Sequence, residues 1–125
     1  MSPTKEEIEA QLPLTPLSFH ILLSLVDGEL HGYGILKEID RLTEGEMTPA
    51  TGPLYLAAQR LLSTGLIAKS DKRPAPELDD QRRRYYALTA LGKMVAVAEG
   101  ERMAHLLRVA VDKGLVKGKV SVTAK

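Results

Sequence analysis

Residues 51–88 restrict the possible folds more than any other part of the chain, because a helical repeat there is followed directly by a strand repeat. From Thr51 to Thr64, leucine and alanine recur at helical spacing, and Gly65 follows where a helix would end. Residues 66–70 and 82–88 are short segments around a charged stretch that contains prolines, which is the pattern of a β-hairpin. A helix with a hairpin on its end is the outline of a winged helix, whose helix enters the DNA major groove.

Two apolar segments before this stretch predict the other helices of the domain. Thr15 followed by Pro16 marks a helix start, and the largely apolar sequence up to Gly28 places that helix in the core. Residues 28–32 are expected to form a turn, and residues 33–43 an amphipathic helix. Together with the helix described above, these make a tri-helical unit.

A winged helix-turn-helix domain over residues 14–88, with a helix on either side of it, makes the predicted fold α+β and mainly α. Residues 1–13 hold a short polar helix that needs a docking site to be stable. Residues 89–113 form a long helix with apolar stripes on two nearly opposite sides, and residues 114–125 form a tail that we expect to be disordered. The rest of so small a protomer can cover only one of the two stripes. The other stripe therefore predicts a two-fold homodimer.

The candidate dimer interface is the stripe that two polar residues, Arg102 and His105, interrupt. Polar residues at such positions could fix the register of two copies or line a cavity between them, at a cost in stability. The stripe consists of Leu91, Val95, Ala98, Arg102, His105, Leu106 and Val109. A ligand bound between two such helices would change the separation of the two hairpins and so weaken DNA binding.

The candidate DNA contacts lie on the hairpin and on the helix before it, for which Thr51 or Thr48 is the expected cap. The outward side chains at the start of this helix are small and uncharged, so that backbone amides could approach phosphate, and Tyr55 and Gln59 follow. Basic hairpin residues suit phosphate contacts and insertion into the minor groove. The candidate residues are Thr51, Gly52, Tyr55, Gln59, Lys72, Arg73, Arg82, Arg83 and Arg84. An ordinary exposed helix face and arginines that guard an edge strand stay open as alternatives.

Charge and composition exclude several classes of protein. The net charge is only +1, but residues 1–68 carry four Lys/Arg and nine Asp/Glu, whereas residues 69–84 carry six and four, so basic charge begins at the hairpin. The sequence has no cysteine, no apolar run as long as a membrane span, and no histidine spacing or glycine loop typical of a metal or phosphate site. We therefore expect a cytoplasmic protein that is not an enzyme and has no cofactor.

Four motifs, in matching order and spacing, resemble the PadR family of bacterial transcriptional regulators. Residues 52–61 and the Gly-Leu-Ile at 65–67 are similar to the family's GTLYPALxRLxxxGLI motif. The further matches are His31-Gly32-Tyr33-Gly34-Ile35, the segment Arg84-Tyr85-Tyr86-Ala87-Leu88-Thr89 with Gly92 beyond it, and the apolar first helix from Leu14. The resemblance covers about residues 14–92.

The resemblance implies a winged-helix dimer that represses transcription and is often released by a small hydrophobic or aromatic ligand. It is closest to the short subclass, in which the N-terminal helix and a single C-terminal helix build the dimer interface. This interface is therefore the expected docking site of the polar helix in residues 1–13. Tyr55 resembles the motif tyrosine beside DNA phosphate, and the basic hairpin residues resemble the family's backbone contacts. Pro53, Leu56 and Ala58 depart from the motif's threonine, proline and leucine. The chain has no tryptophan, with which small dimer-pore regulators clamp planar drugs, so drug binding is not implied.

The main alternative is a winged-helix module that binds another protein and not DNA, since one fold can serve both roles. The nearly uncharged helix and the acidic residues Glu77, Asp79 and Asp80 favour it, whereas the arginine cluster and the motif order favour DNA binding. A regulator without a ligand site is a third possibility. The expected mechanism is a dimer that places two copies of the helix in successive major grooves, about 34 Å apart on an inverted repeat, and blocks a promoter.

Overall fold

The computed structural model describes residues 3–70 and 84–117. Within these ranges the helices are α1 (Lys5–Glu9), α2 (Pro16–Ser24), α3 (Gly32–Leu42), α4 (Thr51–Ser63) and α5 (Ala90–Asp112). The strands are β1 (Leu30–His31), β2 (Ile67–Ser70) and β3 (Tyr85–Leu88). The predicted helices and the two hairpin strands are therefore confirmed. Most of the predicted tail, residues 118–125, lies outside the described residues.

Local side-chain hydrogen bonds explain where most of the helices begin. Thr15 Oγ1 accepts a hydrogen bond from the Ser18 N–H at 3.1 Å, and Thr89 caps α5 in the same way, as the sequence predicts. Helix α4 differs, because its cap residue is Ala50 and Thr51 is its first helical residue. Ala50 has no side-chain acceptor, so its side chain accepts no hydrogen bond from the unpaired amides in the first turn of α4.

The three strands form an antiparallel sheet in the order β1-β3-β2. In the hairpin, Ile67 pairs with Leu88 and Lys69 pairs with Tyr86. Strand β1 lies in the segment that was expected to be only a turn, and it pairs Leu30 with Tyr86 on the other side of β3. Two residues are too few to show the alternation of a strand, so only tertiary pairing reveals β1.

The core lies where α2, α3 and α4 meet the sheet and the first half of α5. Ile21 and Leu22 of α2 are completely buried, which confirms that this apolar helix is central. The other buried apolar side chains are Leu25, Ile35, Ile39, Leu54, Ala57, Ala58, Leu61, Leu66, Ile67, Tyr86 and Val95. Helix α4 is thus held through one face, and its opposite face is left to solvent.

Helix α5 packs on the body of the protomer through its first half. Gly92, Val95 and Glu99 are buried, whereas Leu106 in the second half is 52% exposed. This corrects the predicted dimer stripe, because Val95 belongs to the protomer's own core and Leu91 packs against that core. A helical wheel separates two stripes, but it does not indicate which of them the protomer's own body covers.

A buried carboxylate connects α5 to the segment before α2. Glu99 Oε2 accepts a hydrogen bond from the Leu14 N–H at 2.8 Å, and Glu99 Oε1 accepts one from Arg102 Nε at 2.5 Å. The Arg102 hydrogen bond, supported by that of Leu14, holds the pKa of Glu99 below its usual range, although burial acts in the opposite direction. Arg102 is therefore the ion-pair partner of a core residue, a role that the dimer stripe did not predict.

We expect the Glu99 carboxylate to make the free energy of unfolding depend on pH in the acidic range. Because the pKa of Glu99 is lowered in the folded state, its contribution is present above the unfolded value, about 4.3, and is lost as the pH falls through the folded value. Urea unfolding should show wild type more stable than Glu99→Gln at neutral pH, with a difference that shrinks below about pH 4.3. Glu101→Gln, on the exposed side of the same helix, is the control. A difference between wild type and Glu99→Gln that does not change with pH would contradict this assignment.

Candidate nucleic-acid interface

The outward face of α4 is exposed and contains no charged side chain along its centre. The buried residues Leu54, Ala57, Ala58 and Leu61 define the inner face. The residues diametrically opposite recur at positions i, i+4, i+7 and i+11, and they are Gly52, Leu56, Gln59 and Ser63. This set is called the outward stripe. A Cβ atom added at Gly52 would meet nothing within 4 Å, so the stripe is open at its first turn.

A cleft between α4 and the hairpin adjoins this stripe. It has a volume of about 430 Å³ and is lined by Tyr55, Gln59, Leu62, Lys69, Arg84 and Tyr86. Lys69 stands on β2 opposite Tyr86 of β3, and Arg84 immediately precedes β3. The pairing of the two strands therefore brings one cation from each strand to the same cleft beside α4.

The charged residues of α4 and of the cleft lining are all basic. No acidic residue occurs between Met47 and Ser70, and the two charged residues in that segment are Arg60 and Lys69. Arg60, Lys69 and Arg84 are exposed, and none of them forms an ion pair with another described residue. Exposed cations that form no ion pair with another described residue give a positive surface that suits phosphate groups.

Tyr55 is held against the first turn of α3. A Cβ atom at Gly32 would lie 2.4 Å from Tyr55 Oη and 2.8 Å from Cζ, so the phenol end of Tyr55 occupies the place of a side chain at Gly32. Tyr55 is still 42% exposed. Burial raises the pKa of the neighbouring Tyr86, Tyr55 adds to this shift and Arg84 opposes it, so the Tyr86 hydroxyl keeps its proton at neutral pH.

His31 joins the hairpin to α3, as expected from its position before a helix. Its Nδ1 accepts a hydrogen bond from the Gly34 N–H at 3.1 Å and caps α3. Its ring lies edge to face against Tyr85 of β3, with ring centroids 5.3 Å apart. The contact fixes the inner end of the hairpin relative to the helices.

The structure places some of the predicted DNA-contacting residues and leaves others undescribed. Thr51, Gly52, Tyr55 and Gln59 are exposed on α4, and Arg84 lies beside them at the cleft. The predicted contacts Lys72, Arg73, Arg82 and Arg83 lie outside the described residues.

Sequence reasoning missed two residues of this surface. The strand before the hairpin loop was predicted, but the cross-strand pairing that turns Lys69 toward Arg84 was not. Leu56 stands out in the sequence only as a departure from a motif, although its spacing of four residues from Gly52 and three from Gln59 places it on the outward face.

A second, more apolar groove of about 780 Å³ lies between α1 and α5. Helix α1 docks on α5, so the polar N-terminal helix finds its docking site within the protomer. The apolar side chains of the groove are Pro3, Ile8, Ala90, Met94, Val97 and Ala98. Of these, Met94 is 40% exposed and Val97 is 52% exposed. Among the predicted dimer residues, Ala98 lines this groove, and His105 and Leu106 are exposed further along α5.

The described ranges contain no cluster of three or more His, Cys, Asp or Glu side chains able to hold a metal ion. Among the helices within them, none combines the length and apolar character needed to cross a bilayer.

The arrangement of helices and hairpin defines the class of protein. The predicted winged helix-turn-helix with a long C-terminal helix is confirmed, because solved structures of transcriptional regulators share this fold over most of their length. The chain belongs to the transcriptional regulator PadR-like family, which it matches over residues 21–98. The family assignment made from the motifs is thereby confirmed.

Three solved structures illustrate the similarity. A transcriptional regulator from Clostridium thermocellum is 25% identical, with 93% of this chain and 100% of that chain covered and a TM-score of 0.65. A PadR family transcription regulator from Clostridium difficile is 24% identical, with 78% and 97% covered and a TM-score of 0.67. RosR from H. salinarum is 25% identical, with 85% and 99% covered and a TM-score of 0.59. No curated protein is significantly similar in sequence.

Proposed function

We propose that this regulator acts as a homodimeric repressor that binds an inverted-repeat operator in double-stranded DNA through α4 and the hairpin. The observation that carries the proposal is the exposed, acid-free surface of α4 with Lys69 and Arg84 beside it. A polyanion is the partner that such a surface suits, because the cations are not neutralised by other described residues.

Each part of this surface has a distinct role in the proposed complex. The outward stripe enters the major groove, and Gly52 allows the backbone of the first turn of α4 to approach the DNA closely. The Gln59 side-chain amide reads a base edge, for which adenine is the usual partner. The Tyr55 hydroxyl and the cations of Lys69 and Arg84 contact phosphate and fix the position of α4.

A second copy of the chain is proposed to cover the exposed part of α5 and the groove beside α1. Exposed apolar side chains recur along α5, since Val97 and Leu106 are both 52% exposed and Met94 and Met103 are 40% and 39% exposed. Burial of these side chains against a second copy would favour association. Within the predicted dimer stripe, the residues that remain for this contact are Ala98, Arg102, His105, Leu106 and Val109. A small hydrophobic or aromatic effector between the two α5 helices would change the separation of the two α4 helices, and we expect it to lower operator affinity.

Selection of bound duplexes from a random-sequence pool tests the proposed function. The expected result is an enriched inverted repeat whose half-sites lie about 10 base pairs apart, bound by two protomers, because two α4 helices then meet successive major grooves. A promoter that carries this repeat should be silenced by the protein in a reporter assay. A folded protein that enriches no sequence would instead support a protein-binding module, for which the exposed Leu56 on α4 would be the contact.

Gly32→Ala should weaken DNA binding with little effect on folding. The added Cβ would displace the Tyr55 phenol, whose side chain can swing away, while alanine suits the first position of α3. We expect about a fivefold loss of affinity per protomer, or about 25-fold for the dimer on the selected duplex, since one charged hydrogen bond per protomer is lost. In the Tyr55→Ala background the same substitution should have no further effect.

Gly34→Ala is the matched control for this prediction. Its Cβ would meet Leu30 at 3.4 Å, an ordinary contact, and would not reach Tyr55. Equal losses for Gly32→Ala and Gly34→Ala, measured by fluorescence anisotropy, would contradict the positioning role of Gly32.

A further inference from the structure

Leu56 is the apolar member of the outward stripe. It is 62% exposed, lies between the turn of Gly52 and that of Gln59, and is absent from the core and from the side chains packed against it. A single exposed leucine is common on protein surfaces. Its place matters here, because the rest of the stripe is small or polar and the surrounding cations favour a polyanion.

The major groove of DNA has one apolar feature, the C5-methyl group of thymine. We propose that Leu56 is a specificity-determining residue that packs against a thymine methyl group in each half of the operator. This inference rests on the proposed DNA-binding function and adds the base that the helix selects. The open surface at Gly52 supports it, since no side chain one turn earlier holds Leu56 away from the base edges.

The helix geometry also limits where this thymine lies. Leu56 and Gln59 are three residues apart, or about 4.5 Å along the axis of α4, which is close to the rise of one or two base pairs. The thymine read by Leu56 should therefore lie within about two base pairs of the base read by Gln59. Because the dimer is two-fold symmetric, it should recur at the equivalent position of the other half-site.

Replacement of single thymines by deoxyuridine in the selected duplex tests the inference, because deoxyuridine lacks only the methyl group. At one thymine position in each half-site, replacement in a single half-site should lower wild-type affinity about fourfold. Replacement at both symmetric positions should lower it about 15-fold. Leu56→Ala should bind the thymine and deoxyuridine duplexes equally. Leu56→Met should keep most of the discrimination, because its side chain is also long and apolar.

Leu42→Ala, which removes another exposed leucine outside α4, is the control and should discriminate as wild type does. Thermal unfolding checks that Leu56→Ala is folded, which is expected for so exposed a side chain. The inference is overturned if wild type binds the selected duplex but tolerates deoxyuridine at every position, if no thymine occurs in the half-sites, or if Leu56→Ala discriminates like wild type. Absence of all sequence-specific binding would count against the proposed function itself.

Discussion

Gly92→Ala should destabilise the protein by about 3 kcal/mol or more. A Cβ atom at this position would overlap the backbone oxygen of Leu66 and would lie 2.9 Å from Leu88 Cδ1. The Leu66 carbonyl cannot easily move, because it accepts a hydrogen bond from the Thr89 N–H at 3.2 Å. Thr89 Oγ1 also lies 2.6 Å from the Gly65 oxygen and 3.0 Å from the Leu66 oxygen, so its proton is shared between the two carbonyls. The first turn of α5 and the start of the hairpin therefore have to separate to admit one methyl group.

Gly100→Ala provides the matched control on the same helix. A Cβ atom there would meet nothing within 4 Å, so the substitution should stabilise α5 by up to about 1 kcal/mol through helix propensity. Urea unfolding of both variants measures the contrast, and Gly92→Ala should also lower the thermal midpoint by roughly 10–20 °C. Similar unfolding free energies for the two variants would contradict the close approach of α5 to the hairpin. The approach places the first turn of α5, the proposed dimerisation helix, directly against Leu66 and Leu88 of the hairpin.

The double substitution Lys69→Ala with Arg84→Ala should lower the affinity for the selected duplex by about 100- to 1000-fold. A dimer would lose four phosphate contacts, each worth roughly fivefold, since exposed charged hydrogen bonds contribute modestly. The plot of log affinity against log salt concentration should become shallower by about 3 to 4, because fewer counter-ions are released on binding. Both effects should be nearly independent of operator sequence, because phosphate carries no base information.

Lys113→Ala with Lys117→Ala removes the same charge near the end of α5. These lysines are exposed and far along the chain from the cleft, so the pair should leave the salt dependence close to that of wild type. Anisotropy titrations at several salt concentrations separate the two cases. If both double variants lose the same affinity, the positive charge acts through the whole protein and not through the cleft beside α4.

Features with a local cause were predictable from the sequence, whereas those that depend on tertiary pairing were not. The cap at Thr15, the helix end at Gly65 and the two hairpin strands follow from neighbouring residues. Strand β1 is too short to have a pattern of its own. Glu99 would be taken for a surface residue paired with Arg102 three positions later, and only the fold shows that it also binds the Leu14 amide in the core.

The candidate interface was predictable in part for the same reason. Tyr55 and Gln59 were recognised from the helical period, which correctly placed them on the exposed side of α4. Strand register brings Lys69 and Arg84 to the same cleft. Tyr55 fits against α3 only because Gly32 of that helix has no side chain. Val95 falls in the predicted dimer stripe but is completely buried in the protomer, because a helical wheel of α5 alone does not show which residues the rest of the protomer covers.

In the proposed function, the surface of α4 and the hairpin binds DNA with sequence specificity. The most direct test is the affinity of the full chain for the selected duplex and for a mixed-sequence duplex, each at about 50 and 200 mM salt. We expect the selected duplex to bind at least about a thousandfold more tightly, and both affinities to fall steeply as salt increases. A folded dimer that binds neither duplex at the lower salt concentration would contradict the proposed function.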